Sequence, residues 1–220
     1  MDFEDTQTTA SAASEFDREN LNEDVERMKT MWINETNAPE VLPYNEEMIV
    51  EMMEQIKNQQ EYVDSVYDDK AALTEEKAFI NKLYQMEIDR LKFMVSSYLR
   101  TRLRKIERFA LHILSDPLLT QRLSQKEIQF AKQYVVLFEN HVGDLALNKF
   151  PDDHQSITGD GMILEPDVDS FVFCESREPL GRLQVDDNGL ENIPMRRGDR
   201  LVLRYRAVKS YVEDGQITLL

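Results

Sequence analysis

Three histidines, His112, His141 and His154, and a single cysteine, Cys174, are the side chains best suited to act as general bases, metal ligands or a nucleophile. Each needs a companion at a suitable spacing, and none has one. No histidine has a second ligand at metal spacing, and Cys174 lies far from all three. Cys174 follows Phe171-Val172-Phe173, a strand-like context that reads as core. There is no phosphate-cradling G-x-x-x-x-G-K-[ST] loop, no G-x-G-x-x-G and no G-x-S-x-G, and seven glycines leave little to build one. Carboxylates number 42, so many that any two can be imagined as an acid and base pair. That abundance carries no signal. No catalytic residue, metal site or cofactor is predicted.

The chemistry lies instead in one helix, Met86 to Arg108, which carries cations inside an apolar surface. Placed at about 100° per residue, Leu91, Met94, Val95, Tyr98, Leu99, Leu103, Ile106 and Phe109 cover roughly half the circumference or more. A surface helix needs a stripe of only about 100°. Arg102 and Lys105 fall within the same arc, whereas Arg90, Arg100, Arg104 and Arg108 lie outside it. A helix that is apolar on two sides belongs inside a bundle or between subunits. Its buried cations require partners, because an unpaired buried charge costs several kcal/mol. This segment points to assembly.

The elements that must position this helix are helical before it and after it. Residues 1–20 are acidic and rich in Ser, Thr and Ala, and are expected to form a disordered acidic tail. Phe3 and Phe16 among its acids allow a short docking motif. The first helix runs from about Asn22 to Asn37, with Val25, Met28, Trp32 and Ile33 as its stripe and Pro39 at its end. The second begins after Pro43, capped by Asn45, with Met48, Ile49, Met52, Met53, Ile56, Tyr62, Val63 and Val66 facing inward. The third starts at the N-cap Thr74 and runs to Leu114, where Asp116 and Pro117 stop it; unbroken it is about 60 Å long. The fourth opens on a capping box, Ser124 with Glu127, and carries Ile128, Ala131, Tyr134, Val135, Phe138, Val142 and Leu145.

Residues 151–165 read as a linker, and beyond them the period changes to about two. Phe171–Phe173, Arg182–Val185, Leu201–Tyr205 and Gln216–Leu220 are predicted strands. Asp186-Asp187-Asn188-Gly189 and Asp214-Gly215 are turn signals. The fold class is therefore α+β: a four-helix domain over residues 21–150 and a small β-rich domain over 166–220. The second is too small for a secure core of its own and is expected to dock on a neighbour.

Composition bounds the rest. The net charge is −16, so independent binding to nucleic-acid phosphates is disfavoured. One cysteine permits no internal disulfide, which suits a reducing compartment. The N-terminal stretch has neither the basic nor the apolar region of a secretory signal, and no run approaches a membrane span. A soluble, intracellular chain is expected.

Three stretches together resemble one family, the SLD-five-type subunit of the eukaryotic GINS complex. Trp32-Ile33-Asn34-Glu35 followed by Ala38-Pro39-Glu40-Val41-Leu42 is similar to the family's W-x-N-E-x-x-A-P-E-x-L entry. Met86-Glu87 to Arg90, then Ser96-Ser97-Tyr98-Leu99-Arg100, Arg102-Leu103 and Lys105-Ile106-Glu107, resembles its central helix. Pro166 to Phe173 is like the start of its small β domain, and Arg204-Tyr205 and the apolar C-terminal end also fit. The resemblance covers most of residues 22–220. It implies a helical A domain and a β-rich B domain in a heterotetramer with three relatives, PSF-one, PSF-two and PSF-three. It further implies a nuclear, non-catalytic scaffold that joins the MCM hexamer and the CDC-forty-five protein in the replicative helicase, and that connects to DNA polymerase epsilon. The acidic-leucine docking motif of some fungal relatives has no counterpart in the first twenty residues.

The leading expectation is thus a structural replication subunit. Tyr98, Leu99, Leu103 and Ile106 are expected at inter-subunit packing, with Arg102 and Lys105 paired to acids across it. Trp32 and Leu42 are expected to anchor the first helix and its turn. Phe171 and the end of the β domain, Ile217, Leu219 and Leu220, are expected to dock on a partner. A stand-alone helical adaptor that binds a protein through the same apolar face is the alternative, and an enzyme using dispersed carboxylates is a third class.

Overall fold

The computed structural model describes residues 18–68, 74–151, 155–159, 161–185 and 192–220. Four long helices come first: α1 (Arg18–Asn37), α2 (Glu46–Asp68), α3 (Glu75–Ser115) and α5 (Gln125–Leu145), with a one-turn α4 (Pro117–Thr120) between the last two. A 3-10 turn (Leu147–Lys149) ends the helical part. Strands β1 (Phe171–Ser176), β2 (Gly181–Gln184), β3 (Asn192–Met195) and β4 (Arg200–Arg204) follow, then α6 (Tyr205–Glu213) and β5 (Ile217–Leu219). This is the α+β class expected.

The caps are where the sequence put them. The Thr74 hydroxyl accepts from the Lys77 amide at the start of α3. The Ser124 hydroxyl accepts from the Glu127 amide, and the Glu127 carboxylate accepts from the Ser124 amide. The long third helix does bend: Phe109 sits at φ −114°, ψ 19°, outside helical values. Asp116 and Pro117 do more than stop it, because the Asp116 carboxylate caps α4 through the Leu118 amide. The first helix begins at Arg18, a turn earlier than expected. The tail expectation and its Phe3 and Phe16 fall largely on residues 1–17, outside the described residues.

Helix α3 is the axis. Ile88, Leu91, Met94, Val95 and Tyr98 pack against Met28 of α1 and Met48, Met52 and Ile56 of α2. Further along, Ile106, Phe109 and Ile113 pack with Leu123 and Ala131 of the α5 region. Two expected core stripes are only partly buried. Met53 and Tyr62 of α2 are exposed, and so are Phe138 and Leu145 of α5. No other element among the described residues covers those faces.

In the β part, β1 is the central strand of a three-stranded antiparallel sheet in the order β4-β1-β5. Period-two alternation sends Val172, Cys174 and Ser176 inward and Phe171 and Phe173 outward. Strands β2 and β3 form a separate hairpin. The turn Asp186–Gly189 expected there is outside the described residues. Two elements escaped the sequence reading. Strand β3 is not among the expected strands, and α6 falls in an unassigned stretch, with Tyr205 counted into the preceding strand. Gly215, at φ +76°, makes the turn from α6 into β5.

The sheet has one covered face. Tyr205, Val208 and Val212 of α6 seal it, together with Ala38 and Leu42 from the α1–α2 turn. The Leu219 amide donates to the Asn34 side chain of α1 at 2.8 Å. The marginal β domain does dock, as its size requires, but the neighbour is the helical part of its own chain. Ile217 and Leu219 are fully buried in that contact, which corrects their expected placement against a partner subunit. Leu219→Ala should cost about 2–5 kcal/mol in a urea titration of the full chain, because the cavity opens at the seam between the two parts.

Candidate functional site

The cations of α3 organise the centre of the molecule. Arg102 is 0% exposed and uses all five of its N–H groups. Its Nε donates to Glu127 Oε1 at 2.7 Å. One terminal nitrogen donates to Glu35 Oε2 at 3.0 Å and to the Leu42 carbonyl at 2.6 Å. The other donates to the Arg122 carbonyl at 3.1 Å and to Glu127 Oε2 at 3.2 Å. The rings of Tyr44 and Tyr98 lie 5.1 and 5.7 Å from the guanidinium carbon.

One turn on, the Lys105 ammonium donates to Glu35 Oε1 and to the Glu40 carbonyl, both at 2.9 Å, and to the Glu35 carbonyl. Two cations thus meet two carboxylates, and the buried group is neutral. Burial pushes the Glu35 carboxyl up and the Lys105 ammonium down; their mutual attraction works against both shifts, while the nearby Arg102 charge opposes the rise of Glu35 and adds to the fall of Lys105. Burial pulls on Arg102 too, but its Glu127 hydrogen bonds and surrounding charges win and hold it above its usual range.

A second cluster adjoins the first through Glu40. Its carboxylate accepts from the Tyr205 hydroxyl at 3.0 Å and from Lys209 at 2.9 Å, and pairs with Arg122 at 3.2 Å. Arg122 reaches on to Glu213 at 2.8 Å. These contacts tie α6 to the α1–α2 turn and to the start of α5. Burial and the Glu40 charge raise the Tyr205 phenol above its usual value. A phenol raised on folding contributes stability that is complete below the unfolded tyrosine value, about pH 10, and is lost as pH climbs towards the folded value.

Above this floor lies an open cleft of about 930 Å³. Helices α2 and α5 both pack along α3, and the cleft separates them. Leu99 and Leu103 of α3 line it, with Ile49, Val50, Met53 and Tyr44 opposite. The expected residues therefore divide. Tyr98, Arg102 and Ile106 belong to the interior of this chain, and Lys105 is largely covered. The acids that neutralise Arg102 and Lys105 come from this chain, which corrects their expected pairing across a subunit boundary. Trp32 is half-buried and donates to the Ser97 hydroxyl at 3.0 Å, while Leu42 closes the seam between the two parts. Leu99 and Leu103 face the cleft. Phe171 is 67% exposed on the outer face of the sheet, with Phe173 beside it at 63% and Leu220 at the edge.

Glu35, Glu127 and Glu40 were not foreseen as partners. Glu35 was recoverable, since Met28, Trp32 and Glu35 follow one helical stripe, and the box-forming Glu127 marks a fixed position. His112 lies 3.8 Å from Glu165, and Cys174 is buried with its thiol pushed up by burial. Among the described residues no group of three or more His, Cys, Asp or Glu is placed to hold a metal ion. No described helix is long and apolar enough to cross a membrane.

A helical array, a small β domain locked onto it by buried ions, and apolar faces left open make this a two-part α+β chain. Residues 47–146 match the family described as GINS complex protein helical bundle domain, and residues 166–220 match DNA replication complex GINS protein SLD5 C-terminus. The chain is 34% identical over 205 residues to DNA replication complex GINS protein SLD5 of Arabidopsis thaliana, covering 90% of this chain and 91% of that protein. It is 33% identical over 201 residues to the Dictyostelium discoideum protein of the same name (89% and 91% covered) and 28% identical over 205 residues to that of Homo sapiens (89% and 88%). The chain belongs to the SLD5 family of GINS complex proteins.

Arg102→Ala should lower the stability of the full chain by about 3–5 kcal/mol, since it leaves the buried Glu127 carboxylate without its cation and Glu35 with Lys105 alone. Tyr205→Phe should cost about 1–3 kcal/mol and reduce the loss of stability above pH 10, both read from urea midpoints across a pH series.

Proposed function

We propose that this chain is the SLD-five-type subunit of a GINS heterotetramer, a non-enzymatic scaffold of the nuclear DNA replication machinery. Its direct neighbours are the three relatives PSF-one, PSF-two and PSF-three. Through the assembled complex it meets the MCM hexamer, the CDC-forty-five protein and DNA polymerase epsilon. The observation that carries the reading is the cleft between α2 and α5. A well-packed monomer rarely leaves a contiguous apolar patch of this kind open. The cleft has the form in which an amphipathic helix docks. Its lining residues Leu99 and Leu103, and the outward Phe171 on the sheet, are the subunit contacts in this reading. Leu220 at the sheet edge joins them. Residues 21–150 and 166–220 act as two units on either side of the 151–165 linker, held together by the Glu40 cluster.

The stand-alone adaptor would use the same cleft as a stable monomer. The test is co-expression with the three partner subunits, followed by light scattering. A 1:1:1:1 particle is the expected product. Leu103→Asp should abolish it while leaving the chain's helical circular dichroism intact, because Leu103 lines the cleft and stands outside the buried ion network. A wild-type chain that stays monomeric beside those partners, or a Leu103→Asp chain that assembles at wild-type yield, would contradict the proposal.

A further inference from the structure

The three-stranded sheet has two edges, and they differ. At β5 the edge is closed, because the Leu219 amide donates to the Asn34 side chain of α1 at 2.8 Å. At β4 it is open. Strand β4 pairs with β1 in unbroken register, from Arg204 opposite Phe171 to Arg200 opposite Glu175, and no described strand pairs with its other side. The phase of this ladder is set just beyond its two ends. The Tyr205 amide donates to the Ser170 carbonyl at 2.9 Å, and the Ser176 amide donates to the Asp199 carbonyl at 3.1 Å. Leu201 and Leu203 fall in the same phase. Hydrogen bonding alternates along an antiparallel strand, so Arg200, Val202 and Arg204 turn their backbone groups away from β1. The N–H groups of Val202 and Arg204 have no acceptor among the described residues. Five residues long, without a proline or a bulge, β4 lacks the devices that blunt an edge. Strand β3, in the neighbouring hairpin, carries one in Pro194.

The side chains along this edge select what can pair with it. Arg200, Val202 and Arg204 stand on the outer face, and Val202 is 49% exposed. Arg200 is matched by Glu175 at 2.7 Å. Arg204 has no carboxylate partner among the described residues; its guanidinium lies over the Phe171 ring, 5.8 Å from the centroid. Arg196 and Arg197, in the turn that leads into β4, are exposed. On the other face Leu201 packs only partly buried against the core of the β domain. A strand laid along β4 therefore meets arginines on one face and an apolar rim on the other. Charge guards an edge against strands of like charge, and does not guard it against one of opposite charge.

We propose that the β4 edge takes an extended acidic segment of another protein as a fourth strand of this sheet. The backbone groups of Val202 and Arg204 supply the ladder, which gives affinity without regard to sequence. Specificity comes from carboxylates set beside Arg204 and the arginines of the turn, and from apolar side chains that complete the cover over Leu201. The overall charge of −16 does not forbid this, since exposed charges farther away than about 8–10 Å are largely screened at physiological salt. The site lies on the β domain, away from the cleft between α2 and α5, and does not depend on the scaffold reading.

The test titrates the full chain with a fluorescein-labelled peptide of sequence E-V-E-V-E-V-E, whose carboxylates and valines fall on opposite faces of a strand. Binding should weaken about tenfold or more for K-V-K-V-K-V-K, which reverses the charge. It should be lost when alternate amides of the acidic peptide are N-methylated on the edge that meets β4, and kept when the other edge is methylated. The acidic peptide should slow hydrogen exchange at the Val202 and Arg204 amides about tenfold or more. Val202→Pro should lose the peptide while keeping the wild-type melting temperature, because the N–H it removes has no partner in the sheet. If that variant does not fold, the wild-type exchange measurement decides. Absence of peptide binding would overturn the inference. So would binding that survives methylation of either edge, which is charge attraction alone, or exchange at Val202 and Arg204 that the bound peptide leaves unchanged.

Discussion

A guanidinium with no exposed surface is tolerable only if every N–H finds an acceptor, and the fold is arranged around that requirement at Arg102. Its five acceptors come from the α1–α2 region, from the loop before α5 and from the first turn of α5. None is close to Arg102 in sequence, so every one of these bonds depends on tertiary packing. Replacing such a cluster with apolar residues is often neutral for stability, whereas removing one partner leaves a buried charge uncompensated and is strongly destabilising. Glu127 illustrates the economy. The same carboxylate caps α5 and pairs with Arg102, so the start of α5 is fixed relative to α3.

The consequence reaches the second half of the chain. Once Leu42 and Glu40 are fixed by the Arg102 and Lys105 contacts, they form one wall of the β domain. Ala38 and Leu42 fill its core, and Glu40 takes the Tyr205 hydroxyl and the Lys209 ammonium. A domain of about 55 residues has too little interior to stand on its own core. This one borrows its wall from the helical part. Its outer face, with Phe171 and Phe173, is then free for another molecule, as is the cleft above Leu99 and Leu103.

The sequence disclosed the helices and the buried cations because both follow from periodicity and capping. Thr74 and Ser124 mark real helix starts, and the placement of Arg102 and Lys105 inside an apolar arc correctly announced buried ions. It did not disclose their partners, since 42 carboxylates offer too many choices and the pairs are 25 to 70 residues apart. That gap produced the incorrect assignment of those acids to another subunit. Helix α6 was missed because it follows β4 without a break and Arg204 provides no side-chain cap. Its stripe of Tyr205, Val208 and Val212 begins on the residue that completes the apparent strand. Strand β3 carries Pro194, which reads as a strand breaker except at an edge, and β3 pairs on one side only.

The ion network fills the interior between α1, α3 and α5, and the apolar faces left open are the surfaces proposed to take partners. Hydroxyl-radical footprinting of the chain alone and within the co-expressed complex tests this side chain by side chain. Met53, Leu103, Phe171 and Phe173 should be oxidised readily in the isolated chain and protected on assembly, while Met28 and Met52, buried around α3, should be protected in both. Unchanged oxidation of the first group on assembly, or new protection confined to Met28 and Met52, would contradict the account.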